Sequence, residues 1–156
     1  MKKLIILLSL ISFNAIGAGT SSNTDDSSET PDQIITLYEL AKKHIDNQSY
    51  DKSLKLLKKL TKREDLGTKR ADIYNLLGFS YRKLENPDLD KSFAAYMMAI
   101  EIDPSHLGAH EYLGELYLMR DQKDKAVIIL KKLDQLAGSN TEEYRELKIA
   151  IDAYQS

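Results

Sequence analysis

A glycine recurs in the middle of a helical pattern at a fixed interval. In "YNLLGFSYRKL", residues 74–84, the apolar side chains Leu76, Leu77, Tyr81 and Leu84 fall at helical spacing around Gly78. Thirty-six residues on, "HEYLGELYLMR" places Gly114 in the same setting. A glycine inside a helix costs about 1 kcal/mol relative to alanine. Meeting that cost twice, in register, implies a site where a side chain does not fit.

Aligned by this period, the chain repeats itself. Tyr74-x2-Leu77-Gly78-x2-Tyr81 returns as His110-x2-Leu113-Gly114-x2-Tyr117, and a divergent copy, Leu37-x2-Leu40-Ala41-x2-His44, lies upstream. Each copy is followed by a second helical stretch: Ser53-x3-Leu57-x2-Leu60, Ser92-x3-Tyr96-x2-Ala99 and Ala126-x3-Leu130-x2-Leu133. Two helices of a hairpin approach closely only where one presents no side chain. Gly78 should therefore face Ser92 or Tyr96, and Gly114 should face Ala126 or Leu130, with alanine tolerated there and leucine not.

The periodicity predicts helices over about 32–47, 50–62, 68–84, 88–102, 105–120, 122–137 and 141–154, with no strand. Pro31, Pro87 and Pro104 stand at segment starts, where a missing N–H is harmless. Thr30, Ser49, Asp103 and Asp121 are the candidate N-caps, and Asn140 with Glu143 resembles a capping box. Short connections make consecutive helices antiparallel. The middle turn, within "LENPDLDKS", carries about two extra residues.

These motifs resemble the tetratricopeptide repeat, a 34-residue unit with W-x2-L-G-x2-Y, then A-x3-F, then P. "AIEIDP", residues 99–104, is similar to the end of such a unit. The resemblance implies an all-α, right-handed solenoid of three hairpins, about 34–66, 71–104 and 107–138, within residues 32–138. The last helix, "TEEYRELKIAIDAY", lacks the Leu-Gly pattern and carries one apolar stripe, Tyr144, Leu147, Ile151 and Tyr154. It reads as the capping helix, within 139–156, that a repeat stack requires. Parts of the chain also look like small exported proteobacterial repeat proteins, but the cysteines of those relatives are absent from "AGSNTEEY".

In this family the first helix of each hairpin lines a concave surface, through the second, fifth, ninth and twelfth positions of the unit. The resemblance thus marks Tyr38 and Lys42, then Asp72, Asn75, Phe79 and Arg82, then Glu111, Glu115 and Leu118 as a peptide-binding groove. Phe79 is the expected hot spot, with Asn75 available to a peptide backbone and Arg82 to a carboxylate. Glu111 and Glu115 argue against the family's clamp for C-terminal carboxylates and for a ligand with a basic part.

The N-terminus has another character. "MKKLIILLSLISFNAIGAG" has two lysines, a short apolar run and small residues, the layout of a cleaved signal peptide over 1–18, ending after Gly17 or Ala18. A polar, acidic leader follows to residue 31. With no cysteine in the chain there is no disulfide, no Cys-ligated zinc and no lipoprotein anchor. The expected location is periplasmic or secreted, without stable membrane insertion. Without Lys2 and Lys3, 20 basic side chains stand against 24 acidic ones, which argues against nucleic-acid binding.

Catalytic chemistry finds little support. His106 and His110 sit one turn apart, but the pattern His-Glu-x-x-His is absent. His110 occupies the aromatic position of its repeat and should pack inward. Glu111 and Glu115 read as a solvated face. Met97, Met98 and Met119 read as core filler. No catalytic residue, metal or cofactor is assigned. The expected function is a non-catalytic interaction scaffold for another exported protein or peptide. Two alternatives stay open: a small metal-binding protein or enzyme using His106 and His110, and a self-associating structural subunit.

Overall fold

The computed structural model describes residues 30–155, so the expected signal peptide and most of the expected leader lie outside the described residues. Seven helices follow one another: α1 (Pro31–Asp46), α2 (Tyr50–Leu60), α3 (Lys69–Arg82), α4 (Leu89–Ile102), α5 (Leu107–Met119), α6 (Lys123–Ala137) and α7 (Glu142–Ala153). There is no strand among the described residues. α1/α2, α3/α4 and α5/α6 form antiparallel hairpins, and each hairpin packs on the next, with α7 laid on α5 and α6. This is the expected solenoid of three hairpins and a capping helix.

The turns show why the middle interval is longer. His44, Tyr81 and Tyr117 hold the same position in the three motifs, and each carbonyl accepts an N–H from the far side of its hairpin turn. The donors are Ser49 at 2.7 Å, Asp88 at 3.1 Å and Gln122 at 2.8 Å. The outer turns span five residues and the middle one seven, so the two additional residues are taken up in the loop. The short turns are tight enough to force Gln48 (φ +54°) and Asp121 (φ +56°) into the left-handed region.

Gly78 meets both expected neighbours. The Ser92 hydroxyl donates to its carbonyl at 2.8 Å. A Cβ on Gly78 would lie 2.6 Å from the Tyr96 ring, which is fully buried. Alanine is therefore not accommodated there, contrary to expectation. Gly114 faces neither Ala126 nor Leu130 but Leu147 of α7, whose Cδ2 would stand 2.5 Å from an added Cβ. The glycine thus lets the cap seat closely on α5.

Some local expectations shift with the geometry. The N-cap of α5 is His106, whose Nδ1 accepts from the Ala109 N–H, while Asp103 ends α4 and binds Ser105. Gln122, not Asp121, precedes α6. Thr141 caps α7 by accepting from the Tyr144 N–H, so the pair Asn140 and Glu143 is not the cap. Met97, Met98 and Met119 are exposed and not core filler. The α7 stripe is as read: Leu147 and Ile151 are buried with Leu118, Ala126 and Leu133, and Tyr144 and Tyr154 pack beside them.

Gly78→Ala should lower the urea midpoint, because overpacking at about 1–3 kcal/mol exceeds the helix-propensity gain of about 1 kcal/mol. Gly108→Ala should cost less, since its nearest foreign atom is the amide tip of Asn75 at 3.3 Å. Equal midpoints for the two variants would remove the packing argument. Deleting residues 140–156 should uncover Leu118, Ala126 and Leu133 and lower the melting temperature or cause aggregation; Leu147→Ala alone should cost about 2–5 kcal/mol.

Candidate functional site

The expected groove residues lie on α1, α3 and α5, and the structure divides them into exposed contact points and buried supports. Phe79 is half-buried. Its ring packs 5.1 Å from that of Tyr112 on α5 and 6.2 Å, edge on, from that of Tyr50 on α2. The Arg82 guanidinium lies 5.6 Å from the Phe79 ring and 5.2 Å from the Tyr112 ring, near enough for cation–π attraction. Phe79 is thus the centre of a rigid aromatic platform and not a solitary exposed ring.

Arg82 does not wait for an external carboxylate. It is 6% exposed, and its guanidinium pairs with Glu115 of the next repeat. The expectation that it is free to bind a ligand is corrected by that pairing. Asn75, 8% exposed, is also buried, yet its Oδ1 has no hydrogen-bond partner, and the same holds for Arg82 Nε. Buried polar atoms are nearly always paired, because an unpaired one costs about 1–3 kcal/mol. Two such atoms lie on α3, at groove positions of one unit.

The other groove residues are distributed along the same face. Tyr38 is buried beneath the Lys42 and Lys69 ammonium groups, 5.5 and 4.7 Å from its ring. Burial, then the charges of Asp72 and Glu39, push its hydroxyl up to about 12. Lys42 is exposed and paired with Glu39 at 3.2 Å. Asp72 accepts from His106 Nε2 at 3.1 Å, tying α3 to the start of α5. Leu118 is buried at the far end of the groove.

Glu111 and Glu115 are not a solvated face; both are half-buried. Burial first, then the charges of Glu115 and Glu143, push Glu111 from its ordinary 4.5 up to about 8, with Arg82 opposing. Glu143 and Glu146 come from α7, which packs against α5. A recess of about 420 Å³ opens beside them, lined by Arg82, Lys83, Glu115, Leu118, Met119, Ala150, Ala153 and Tyr154. α7 is therefore a wall of the site as well as a cap. The sequence held one sign of this: Ala150 follows Gly114 at the same 36-residue interval that separates Gly78 from Gly114. Tyr112, also missed, lies outside the groove positions of the repeat and reaches the platform because its ring leans onto Phe79 and Tyr96.

The histidines are used internally. His106 Nδ1 accepts the cap N–H, so Nε2 carries the proton given to Asp72. His110 is 5% exposed and donates through Nε2 to the Pro104 carbonyl. Burial holds its pKa below the usual value. Among the described residues no group of three or more His, Asp or Glu side chains is placed to hold a metal. Among them, too, no helix is long and apolar enough to cross a membrane.

No protein-family model matches the chain. A segment of 128 residues, 79% of this chain, is 30% identical to tetratricopeptide repeat protein 37 of Xenopus laevis, but spans only 8% of that protein. The fold is that of solved tetratricopeptide-repeat structures. MamA superposes with a TM-score of 0.63 at 23% identity, over 78% of this chain and 68% of that one. The Yersinia enterocolitica type III secretion chaperone SycD, in complex with a peptide of the translocator YopD, gives 0.66 at 18%, over 80% and 91%. The first tetratricopeptide domain of Spaghetti (RPAP3), bound to the HSP90 peptide SRMEEVD, gives 0.65 at 17%, over 80% and 98%.

Because the folded-state pKa of Glu111 is raised, the native chain holds a proton that the unfolded chain has lost between about pH 4.5 and 8. Its contribution to stability therefore falls as pH rises through that window. Glu111→Gln should remove the dependence: the melting temperature of the variant, relative to wild type, should climb from pH 5 to pH 8.5. A difference that stays flat with pH would show that Glu111 titrates normally.

Proposed function

We propose that this chain is a tetratricopeptide-repeat protein acting as a non-catalytic interaction scaffold, exported by a cleaved N-terminal signal, which binds a peptide or protein segment along α1, α3 and α5. The observation that carries this reading is the α3 face. Phe79 stands half-buried on the platform of Tyr50, Tyr112 and Arg82, and Asn75 beside it holds a buried acceptor with no partner. A rigid aromatic anchor with a polar group ready for a backbone N–H is what interface hot spots are made of. The peptide complexes of SycD and of RPAP3 support the use of such a groove. The charge differs from the RPAP3 case, however. SRMEEVD is an acidic peptide, and here it would meet Glu111 and Glu115. The charged start, apolar run and small residues of 1–18 support export.

The test is capture from a periplasmic extract by the purified protein. Phe79→Ala and Asn75→Ala, each shown by circular dichroism to remain folded, should lose partners retained by the wild type. Ile128→Ser, on the exposed face of α6, should keep them. Arg82 is left intact because truncating it would strand Glu115 without its cation. If both groove variants retain every partner, the groove is not the functional surface.

A further inference from the structure

α3 turns a second face away from the groove. Tyr74, Leu77 and Tyr81 lie on it, and α2 and α4 both pack on α3 without packing on each other. A recess of about 270 Å³ opens there, floored by these three side chains and walled by Ala94, Ala95 and Met98 of α4. Ile102 stands one turn beyond Met98, and both are exposed. The recess has a cause in the sequence. Aligned on Ser92 and Ala126, α6 carries Ile128 and Ile129 where α4 carries Ala94 and Ala95. Ile129 packs against the core with Tyr117, whereas the two alanines beside Tyr81 leave the space open.

The rim on the α2 side is cationic. The Lys58 ammonium lies 5.1 Å from the centre of the Tyr81 ring, and that of Lys91 on α4 lies 5.6 Å from it. Lys55 and Lys62 stand three residues before Lys58 and four after it, so the three exposed lysines share one side of the helix end. Among the described residues none of these three ammonium groups is in a hydrogen bond or an ion pair. Asp88 is near enough for Lys58 to act on it, but its own bonds go to Lys91. It pairs with the Lys91 ammonium at 2.5 Å and accepts the Lys91 N–H at 3.0 Å. Unmatched positive charge therefore borders an apolar recess, on a face that shares no residue with the groove.

We propose that this recess is a second docking site, for an amphipathic α-helix of another polypeptide with acidic residues beside its apolar stripe. The lining asks for apolar side chains. From Tyr74 to Tyr81 the floor runs seven residues along α3, about 10 Å, which matches apolar anchors one or two turns apart on a helix laid into it. An extended segment would bring backbone N–H and C=O groups that need partners. Apart from Lys91, which Asp88 engages, the lining offers them only the Tyr74 and Tyr81 hydroxyls. A helix arrives with its backbone already paired. Its acidic residues would face Lys55, Lys58 and Lys62. Such exposed pairs add little affinity, but they select the partner and speed the encounter. Affinity comes from covering the apolar wall, where Met98 adapts to anchors of different shape.

The test is selection from a phage library of helical peptides, with the outward positions of an alanine-rich scaffold randomised, against the immobilised full chain. Enriched peptides should carry Leu, Ile, Met or Phe at intervals of three or four, with Asp or Glu alongside. A synthetic copy of the leading peptide should bind at least tenfold less tightly to Lys55→Glu/Lys58→Glu/Lys62→Glu, and also to Ala94→Ile, which restores the side chain that α6 has. Ile128→Ser should bind it as the wild type does; circular dichroism confirms the fold of each variant. Binding should also weaken as sodium chloride rises from about 0.05 M to about 0.5 M, because the rim charges are exposed to screening. Enrichment of peptides that Phe79→Ala abolishes and the lysine variant retains would overturn this inference and leave the groove reading standing. Enrichment of basic peptides, or no enrichment together with lysine-dependent binding to phosphatidylglycerol vesicles, would overturn it as well, the latter by assigning the rim to a membrane surface.

Discussion

The architecture depends on how closely α3 and α4 cross. With no side chain on Gly78, the Tyr96 ring lies where a Cβ would have been, and the Ser92 hydroxyl reaches the Gly78 carbonyl at 2.8 Å. The hydroxyl of Ser92 would be costly to bury unpaired; bonded to the backbone, it holds the crossing. A related contact sits one interface earlier, where Ser80 and Ser53, both fully buried, share a 3.3 Å hydrogen bond between α3 and α2. Small polar residues thus serve both faces of α3. Tyr96, held by the crossing, joins Leu113 and Leu116 in the core shared with α5. A helical stack of this kind has no centre, so each interface must be specified by its neighbours.

With the crossing face of α3 committed to packing, its remaining face is left for the groove. There α3 and α5 are tied by polar contacts: Asp72 with His106 at one end and Arg82 with Glu115 at the other. A buried ion pair is weak support for stability, since desolvation offsets most of the attraction. Its effect here is positional. It draws α5 beside α3 and sets the Arg82 guanidinium against both the Phe79 and Tyr112 rings, which pack on each other. His106 has two roles, capping α5 and orienting Asp72, which leaves neither ring nitrogen spare.

What the sequence disclosed was whatever depends on local periodicity. The helices fell within a few residues of their observed bounds, and Gly78 met the partners its spacing implied. Gly114 did not, because Leu147 reaches it from a helix outside the recognised unit, and contacts between repeats leave no mark in a repeat motif. Thr30 and Ser49 cap α1 and α2 as read, but the other two caps were misplaced for a similar reason. Asp103 and Asp121 are good capping residues by type, but the turns after α4 and α5 run on past them to His106 and Gln122. Of the positions named for the groove, Tyr38, Asn75, Arg82 and Leu118 are buried, so availability did not follow from position. Whether Arg82 is free depends on Glu115, thirty-three residues away, and no local pattern couples the two. The exposed methionines show the converse: Met97 and Met98 on α4 and Met119 on α5 are apolar by type but lie on exposed faces, and residue type alone does not give the face.

Charge and shape have separate tasks in this site. Glu111 and Glu115 are half-buried on α5, and Glu115 lines the recess beside α7, so their charge is screened less than it would be on an open helix. Such a field sets encounter rate and excludes ligands of like charge, but gives limited affinity once desolvation is counted. Affinity must come from apolar contact, and the structure offers two places for it: the Phe79 platform and the recess floored by Leu118, Ala150 and Ala153. The first belongs to the second hairpin, and the second exists only because α7 closes on α5. A ligand that reaches both therefore reads the arrangement of the helices as well as their individual surfaces. The seating of Leu147 against Gly114 sets how α7 lies on α5, and Ala150 and Ala153 of α7 with Leu118 of α5 line the recess, so one glycine outside the recess bears on its shape.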